Sequence, residues 1–493
     1  MKTLPIFGEG VNAYSSAVSR QRRLNCFYDI RQDQDKHATI VRGTPGFSAS
    51  YSLSASPIRG FRVVESLLYI VAGSQLYSVN TSGTVTTLGT LGSSAGTVGM
   101  SDNGVQLGVV DGVAGYCYTI VTGSYAQAAL NAAGSFGVIT DANFPDGALT
   151  MTFLDGNIIC ERRPASRQFY VSAKYDLTNW TNASSLPTYG TKDNYSDDIV
   201  AVDVLNGALV LWGTDSIEFW QDVGSSPLPF TRINGATQLR GLVAINSRVF
   251  IADTLLFLGK AYHGDMVQIY RFNGYQPVRV STADIEEIIE DFTTWTDAVA
   301  LTYTIDGHPM YQITFPIANR SFLYDLITGF WSEVQTGVAV TARHFANFGV
   351  AFNTKTYVSD SSTGTMYILD DEVYTDNGTP TKRQVTSRHL HADGNMFGIA
   401  ELWIDMETGV GLQSGQGSDP EIMLQVSKDG GRTFGIEKWA KIGTVGSYGA
   451  RVGPWRRLGM SRDFVVQFTM TDPVKFVIIS GSAVLQQEEG KDG

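Results

Sequence analysis

A strand-turn-strand grammar recurs along this chain, and it restricts the possible folds more than any other feature. From Phe61 the sequence FRVVESLLYIVAGSQLYSVNTSGTVTTLGTL sets β-branched and aromatic runs between Gly-Ser and Thr-Ser-Gly turns, which predicts a meander of three strands. The pattern returns at 105–121, 149–173, 200–221, 242–258, 298–331 and 344–369. Units spaced by roughly forty to fifty residues match the period of propeller blades. Asp155-Gly156, Asn206-Gly207 and Asp306-Gly307 fall between strand-like runs, where type I′ hairpin turns are favoured. A β-sandwich makes similar hairpins, so periodicity alone leaves both architectures open.

Composition points the same way. Only 17% of the 493 residues are charged, and 52 Gly accompany 22 Tyr, 25 Phe and 8 Trp, a mixture suited to strands joined by tight turns. An all-β protein of roughly two to four domains is expected. Cys26, Cys117 and Cys160 are odd in number and far apart, which predicts buried free thiols rather than a disulfide framework or a CxxC metal site. The opening residues 1–7 hold one lysine and a short apolar stretch broken by Pro5, too short for a signal peptide core. No apolar run reaches membrane-spanning length, so a soluble protein made in the cytosol is expected.

Charge divides the chain into three segments. Residues 1–50 hold seven basic and four acidic side chains, residues 51–379 hold 16 and 31, and residues 380–493 hold 13 of each. The net values are +3, −15 and zero. No Lys or Arg lies between Arg62 and Arg162. A DNA-wrapping or sequence-reading protein needs cations to neutralise phosphates, and the middle segment does not supply them. An acidic surface instead suppresses adsorption of nucleic acid by like-charge repulsion. After the turn-rich junction Asn377-Gly378-Thr379-Pro380 a different pattern of longer strands begins. The expected divisions are an N-terminal part of a platform domain (1–50), a β-propeller-like region with insertions (51–379) and a C-terminal β platform domain (380–493).

One helix interrupts the strands. In STADIEEIIEDF, Ile285, Ile288, Ile289 and Phe292 share a face, Ser281 or Thr282 is placed to cap the start, and Asp284, Glu286 and Glu287 read as a solvated face near the positive end of the dipole. SKDGGRTF at Ser427–Phe434 has the spacing of an Asp-box, a hairpin turn in which Ser and Asp bond backbone N–H groups while the aromatic packs beneath.

Candidate chemistry is sparse. His389-Leu390-His391 on a strand would place both rings on one face, yet no third metal ligand is evident, and a surface or interface pair is the simpler reading. Asp193, Asp197 and Asp198 read as a solvated loop rather than a cation site. There is no GxSxG elbow, phosphate-binding GxxxxGK[ST], HExxH or EF-hand loop. No catalytic, cofactor or metal residue is assigned, and an enzyme is not expected. Arg20-Gln21-Arg22-Arg23 and Trp455-Arg456-Arg457 are the densest basic groups, one in each end segment. Arginine beside aromatic residues is enriched at protein interfaces, so Trp455, Arg456, Arg457, Arg22 and Arg23 are the candidate subunit or adaptor contacts.

The order of motifs resembles the tail nozzle, or packaged-DNA stabilization (tail hub), proteins of short-tailed bacteriophages. The carrying residues are RLNCFYDI at Arg23–Ile30, RGTPGF at Arg42–Phe47, FYVSAKYDLTNWT at Phe169–Thr181 and GTDSIEFWQDVG with PFTRINGA at Gly213–Ala236. FNGYQPVRVSTADIE at Phe272–Glu286, GHPMYQITFP and FLYDLITGFWSE at Gly307–Glu333 and a terminal block with GSYGARVGPWRRLGMSRD complete the series. The resemblance implies an all-β virion protein, with a platform-like β-domain from both chain ends and a propeller between them. It implies a homo-oligomeric ring, a hexamer, in the virion tail, built from chains made in the host cytoplasm. The ring sits below portal and adaptor proteins, holds fibre, spike or plug proteins, and continues the channel for double-stranded DNA without sequence-specific binding. Retention of packaged DNA and its ejection follow as expected roles. The competing reading is a propeller-type glycan-binding or glycan-cleaving host-surface protein, for which Trp212, Trp220, Trp295 and Trp331 would have to face sugars.

Overall fold

The computed structural model describes residues 2–4, 21–30, 39–54, 56–392, 394–449 and 451–487. Arg20 and His37 lie outside them. Four four-stranded antiparallel sheets follow one another: Ile58–Val64 to Val85–Thr90, Gly99–Asp102 to Phe136–Val138, Met151–Leu154 to Tyr189–Thr191 and Ile199–Leu205 to Phe230–Arg232. A fifth runs from Arg240–Leu242 to Gln276–Arg279, with Val249–Ile251 sharing its inner edge. A sixth holds Val299–Ile305, His308–Phe315, Arg320–Asp325 and Trp331–Glu333, and a seventh begins with Ala346–Phe352, Lys355–Asp360 and Thr365–Asp370. Successive sheets adjoin one another through strands at their inner edges, and Ala346–Phe352 meets Ile58–Val64 to close the circle. The result is a seven-bladed propeller, and each of the seven repeated sequence units occupies one blade.

Where a blade packs on both faces, its second strand reads as a run of apolar residues rather than as an alternation. Leu67–Ala72 and Ala208–Gly213 show this, being almost wholly buried. The predicted hairpins have the expected geometry: φ is +50° and +92° at Asp155-Gly156, +52° and +74° at Asn206-Gly207 and +45° and +86° at Asp306-Gly307.

The seventh blade takes its fourth strand from the other end of the chain. Gly46–Ser52 pairs antiparallel with Thr365–Asp370, from Gly46 opposite Asp370 to Ser52 opposite Thr365, and so straddles residue 50. At Gly46 a side chain would meet the carbonyls of Val373 and Thr375 at 2.6 and 2.5 Å, so only glycine lets the strand enter.

Both chain ends also build a sandwich. One sheet runs Cys26–Ile30, Thr39–Gly43, Val477–Gln487, Phe397–Met406 and Arg451–Arg456, with Lys2–Leu4 paired to Val477–Gln487. The other contains Arg383–Thr386, Asp463–Met470, Glu421–Ser427 and Lys438–Lys441. Between them lie Leu402, Ile404, Leu424, Trp455, Phe464 and Phe468. The platform formed from both ends is therefore present as expected.

The helix spans Ala283–Glu290, with Ile285 and Ile289 buried against the fifth and sixth blades. Two expectations fail locally. Thr282 holds the N-cap position but makes no side-chain cap. Glu286 is buried rather than solvated, because Arg279, Gln268 and Ser281 turn it inward with charge-assisted hydrogen bonds. All three cysteines are free and buried, and burial pushes the Cys26 and Cys117 thiols up to about 12.

Candidate functional site

The sequence-selected arginines separate into two places. Arg23-Leu24 is a two-residue strand that sews the sixth blade to the sandwich: Leu24 pairs parallel with Glu333, while Arg23 and Leu24 pair antiparallel with Val385 and Gln384. One continuous sheet of ten strands results. Arg23 is buried, lies 3.7 Å from the centre of the Tyr28 ring and donates to the Trp331 carbonyl at 2.9 Å. Arg22 is half-buried and forks onto Glu333 at 3.0 and 2.8 Å, and Arg320 reaches the same carboxylate at 3.1 Å. These two side chains hold propeller to platform within one subunit.

Trp455 is also internal. It sits in the sandwich core, and its Nε1 donates to the Lys438 carbonyl at 3.0 Å. Amphipathic Trp fits such a place because its polar edge still finds an acceptor. Burial thus takes Arg23 and Trp455 off the surface, and Arg456 and Arg457 remain as exposed members of the set. Arg456 pairs with Glu401 at 2.8 Å across adjacent strands. Arg457, at φ +57°, turns the chain out of the sheet.

Around Arg457 the fold gathers cations from separate loops. The Lys428 ammonium overlies Gly459 so closely that an added Cβ would clash with its Nζ. Ser461 donates to the Lys428 carbonyl at 2.7 Å, which places Arg462 beside them. Arg388 precedes the short strand that pairs with Asp463 and Phe464 at the same end. Arg432 stands on the Asp-box turn. Arg388, Lys428, Arg432, Arg457 and Arg462 are all exposed. The carboxylates there are engaged: Asp463 holds His389 Nδ1 at 2.8 Å, and Asp429 caps its own turn. This end of the sandwich is basic, opposite in sign to the propeller. Sequence reading selected only the adjacent Arg456-Arg457, because the other cations are scattered over more than seventy positions. A signal was nonetheless present in the repeated placement of Lys or Arg beside turn residues.

The Asp-box behaves as the predicted turn. Ser427 Oγ donates to Asp429 at 2.6 Å and accepts from the Gly431 N–H at 2.8 Å, and Thr433 N–H donates to Asp429 at 2.9 Å. Hydrogen bonds from Ser427 and Thr433 hold the Asp429 carboxyl well below its ordinary range. Phe434 is half-buried. The turn lies in the sandwich, not in a blade.

Other singled-out residues are accounted for by packing. Asp197 pairs with the buried Lys192 and accepts from the Asp215 and Ser216 N–H groups at 2.9 Å each, and Asp193 pairs with Arg232 at 2.7 Å. Trp212, Trp220 and Trp331 are buried in blade cores, and the partly buried Trp295 donates to the Ile289 carbonyl at 2.7 Å. These rings are not available as a sugar-stacking platform.

Comparison with known proteins gives two family matches. The model described as "Bacteriophage P22 Gp10, beta-propeller" matches residues 6–374, and that described as "Bacteriophage P22 Gp10, beta-sandwich" matches residues 382–486. No curated protein matches the chain. Among solved structures, the extracellular domain of the putative hybrid two-component system BT4673 from B. thetaiotaomicron is 10% identical, with a TM-score of 0.42. It covers 66% of this chain, which spans 39% of that one. The Neurospora crassa Pan2 WD40 domain is 9% identical with a TM-score of 0.38, covering 64% of this chain and 89% of its own. The WD40 propeller of Doa1 is 11% identical with a TM-score of 0.40, covering 66% and 98%.

Proposed function

The chain belongs to the bacteriophage P22 Gp10 family, the tail nozzle or DNA-stabilisation proteins of short-tailed phages, and from that membership we propose that it forms the nozzle ring of a virion tail. In this reading six copies assemble below the portal and adaptor, continue the DNA channel, help retain the packaged genome and support its ejection. The chain acts as a structural part rather than as an enzyme, and fibre, spike or plug proteins attach to the ring.

The observation that carries the reading is the seam between the two domains. A ring that confines pressurised DNA needs subunits that transmit force without internal slippage. Here a single ten-stranded sheet runs from the sixth blade through Arg23-Leu24 into the sandwich, reinforced by the Arg22–Glu333–Arg320 cluster. The net charge of −15 over 51–379 supports passage of DNA, since an acidic wall repels phosphate and leaves it free to slide. The basic end of the sandwich, with Arg456 and Arg457, supplies a surface for an acidic neighbour in the assembly.

The mass of the native particle tests this, measured by light scattering and electron microscopy with and without purified adaptor–portal complex. A six-fold ring docked on that complex is expected. Persistent failure to dock, together with turnover of a bacterial surface glycan, would overturn the reading.

A further inference from the structure

A cavity of about 540 Å³ lies on the propeller axis, walled by inner segments of the first, second, fifth, sixth and seventh blades. That volume falls within the range of small-molecule sites, roughly 300–1,000 Å³. Its lining differs from the domain around it. Residues 51–379 carry 16 cations against 31 carboxylates, yet the lining includes Arg59, Arg62 and Arg248 and no Asp or Glu.

The three guanidinium groups are held in different ways. Arg59 is buried and donates to the carbonyls of Gly73, Ser93, Ala95 and Gly96 at 3.0, 2.9, 2.8 and 2.6 Å, and to Ser93 Oγ at 2.9 Å. All these acceptors are neutral, and no carboxylate among the described residues reaches ion-pair distance. Its positive charge is therefore fixed in place and only remotely compensated, with Asp111 reached through Ser93. Arg248 pairs with Asp203, whose carboxylate also takes the Trp212 Nε1–H at 2.7 Å. Arg62 pairs with Asp102 at 2.8 Å but leaves 44% of its side chain exposed. Both carboxylates stand behind the wall rather than in it.

Apolar surface completes the site. Phe61 and Phe348 meet edge to face with centroids 6.2 Å apart, and Phe250 is 55% exposed although it lines the cavity. An exposed ring beside guanidinium groups offers a flat face and a fork for an oxyanion together.

We infer that the axial cavity binds a small anionic ligand in which a carboxylate or phosphate group is carried on a compact, ring-sized body. Arg62 contacts the anion, Phe250 covers the body, and Arg59, the one of the three with no carboxylate at ion-pair distance among the described residues, sets the positive potential of the wall. A cleft lined by one sign of charge focuses the field and raises the local concentration of small anions.

Isothermal titration calorimetry on the full chain tests the inference, with glucuronate and inorganic pyrophosphate as probes at matched ionic strength. Arg62→Gln and Phe250→Ala are the variants, both at exposed side chains, with unchanged melting temperature as the folding control. Saturable 1:1 binding of at least one probe is expected with Kd below about 1 mM. Arg62→Gln should weaken it about tenfold. Phe250→Ala should weaken glucuronate more than pyrophosphate. Binding of glucuronate alone assigns a sugar acid, and binding of pyrophosphate alone assigns a phosphate group. Binding of neither, or binding that Arg62→Gln leaves unchanged, overturns the site.

Discussion

Asn25 and Gln335 exchange hydrogen bonds across 310 positions of sequence: Asn25 Nδ2 donates to the Gln335 carbonyl at 3.0 Å, and Asn25 Oδ1 accepts the Gln335 N–H at 2.8 Å. Nδ2 also donates to the Lys382 carbonyl at 2.9 Å, where the chain enters the C-terminal half of the platform. One buried amide thus pairs with the exit of the sixth blade as a strand would, and ties it to the platform. Asn suits the position twice over, since φ there is +50°.

Replacing Asn25 by Ala strands one N–H and two carbonyls in the interior and strains the backbone. A loss of about 3 kcal/mol is expected from the unsatisfied groups. Chemical denaturation measures it. Asn25→Gly keeps the left-handed backbone and should lose less, the difference measuring the strain; wild-type stability in Asn25→Gly would show that the amide bonds contribute little.

Blade closure depends on Gly46–Ser52. A fragment of residues 44–380 keeps that strand and should melt cooperatively with a β-rich circular dichroism spectrum. A fragment starting at 54 leaves Thr365–Asp370 without its outer partner and should melt at lower temperature. In the full chain, Gly46→Ala should destabilise by about 2 kcal/mol or more through its backbone clash. Identical melting of the two fragments would remove closure by this strand as a source of stability.

Glu161 and Asp376 give stability a pH dependence of defined sign. Burial raises both carboxyls to about 7 in the folded chain, despite hydrogen bonds from Thr150 to Glu161. A folded-state value above the unfolded one means that the native protein binds more protons between about 4.5 and 7, so stability falls as pH rises through that window. The change is on the order of 3 kcal/mol for each group. Thermal melts from pH 5 to pH 8 should show this decline, and Glu161→Gln with Asp376→Asn should flatten it. A wild-type profile that rises over the window would contradict the assignment.

Trp455 and its neighbours should separate stability from assembly. Trp455→Ala opens the sandwich core and should cost about 3–5 kcal/mol. Arg456→Ala with Arg457→Ala should leave the melting temperature nearly unchanged, because exposed ion pairs contribute little. The double variant should instead weaken contacts in the assembled particle. Full assembly by the double variant, seen in native mass, would remove Arg456 and Arg457 from the interface.

Much of the fold was legible in local pattern. The seven β units, the Asn-Gly and Asp-Gly hairpins and the Asp-box turn all depend on neighbours within a few residues, where period-two alternation and tolerance of positive φ act directly. The helix Ala283–Glu290 was legible for the same reason, through Ile285 and Ile289 on one face. Ordered motifs from Arg23 to the C-terminal block carried the family, and the two family matches bear that out.

Local pattern could not say which end of the chain closes the last blade or where a given arginine points. Gly46–Ser52 finds its partner more than three hundred positions away, and nothing in its own residues names Thr365–Asp370. Arg22, Arg23, Arg456 and Arg457 share a composition but not a fate. Two of them brace the seam between domains and two face solvent, because a guanidinium group is buried only where carboxylates, carbonyls and aromatic faces from distant strands converge. Strands, turns and family follow from residues close together in the chain; closure, the seam and the sign of each surface depend on contacts that exist only after the ends have met.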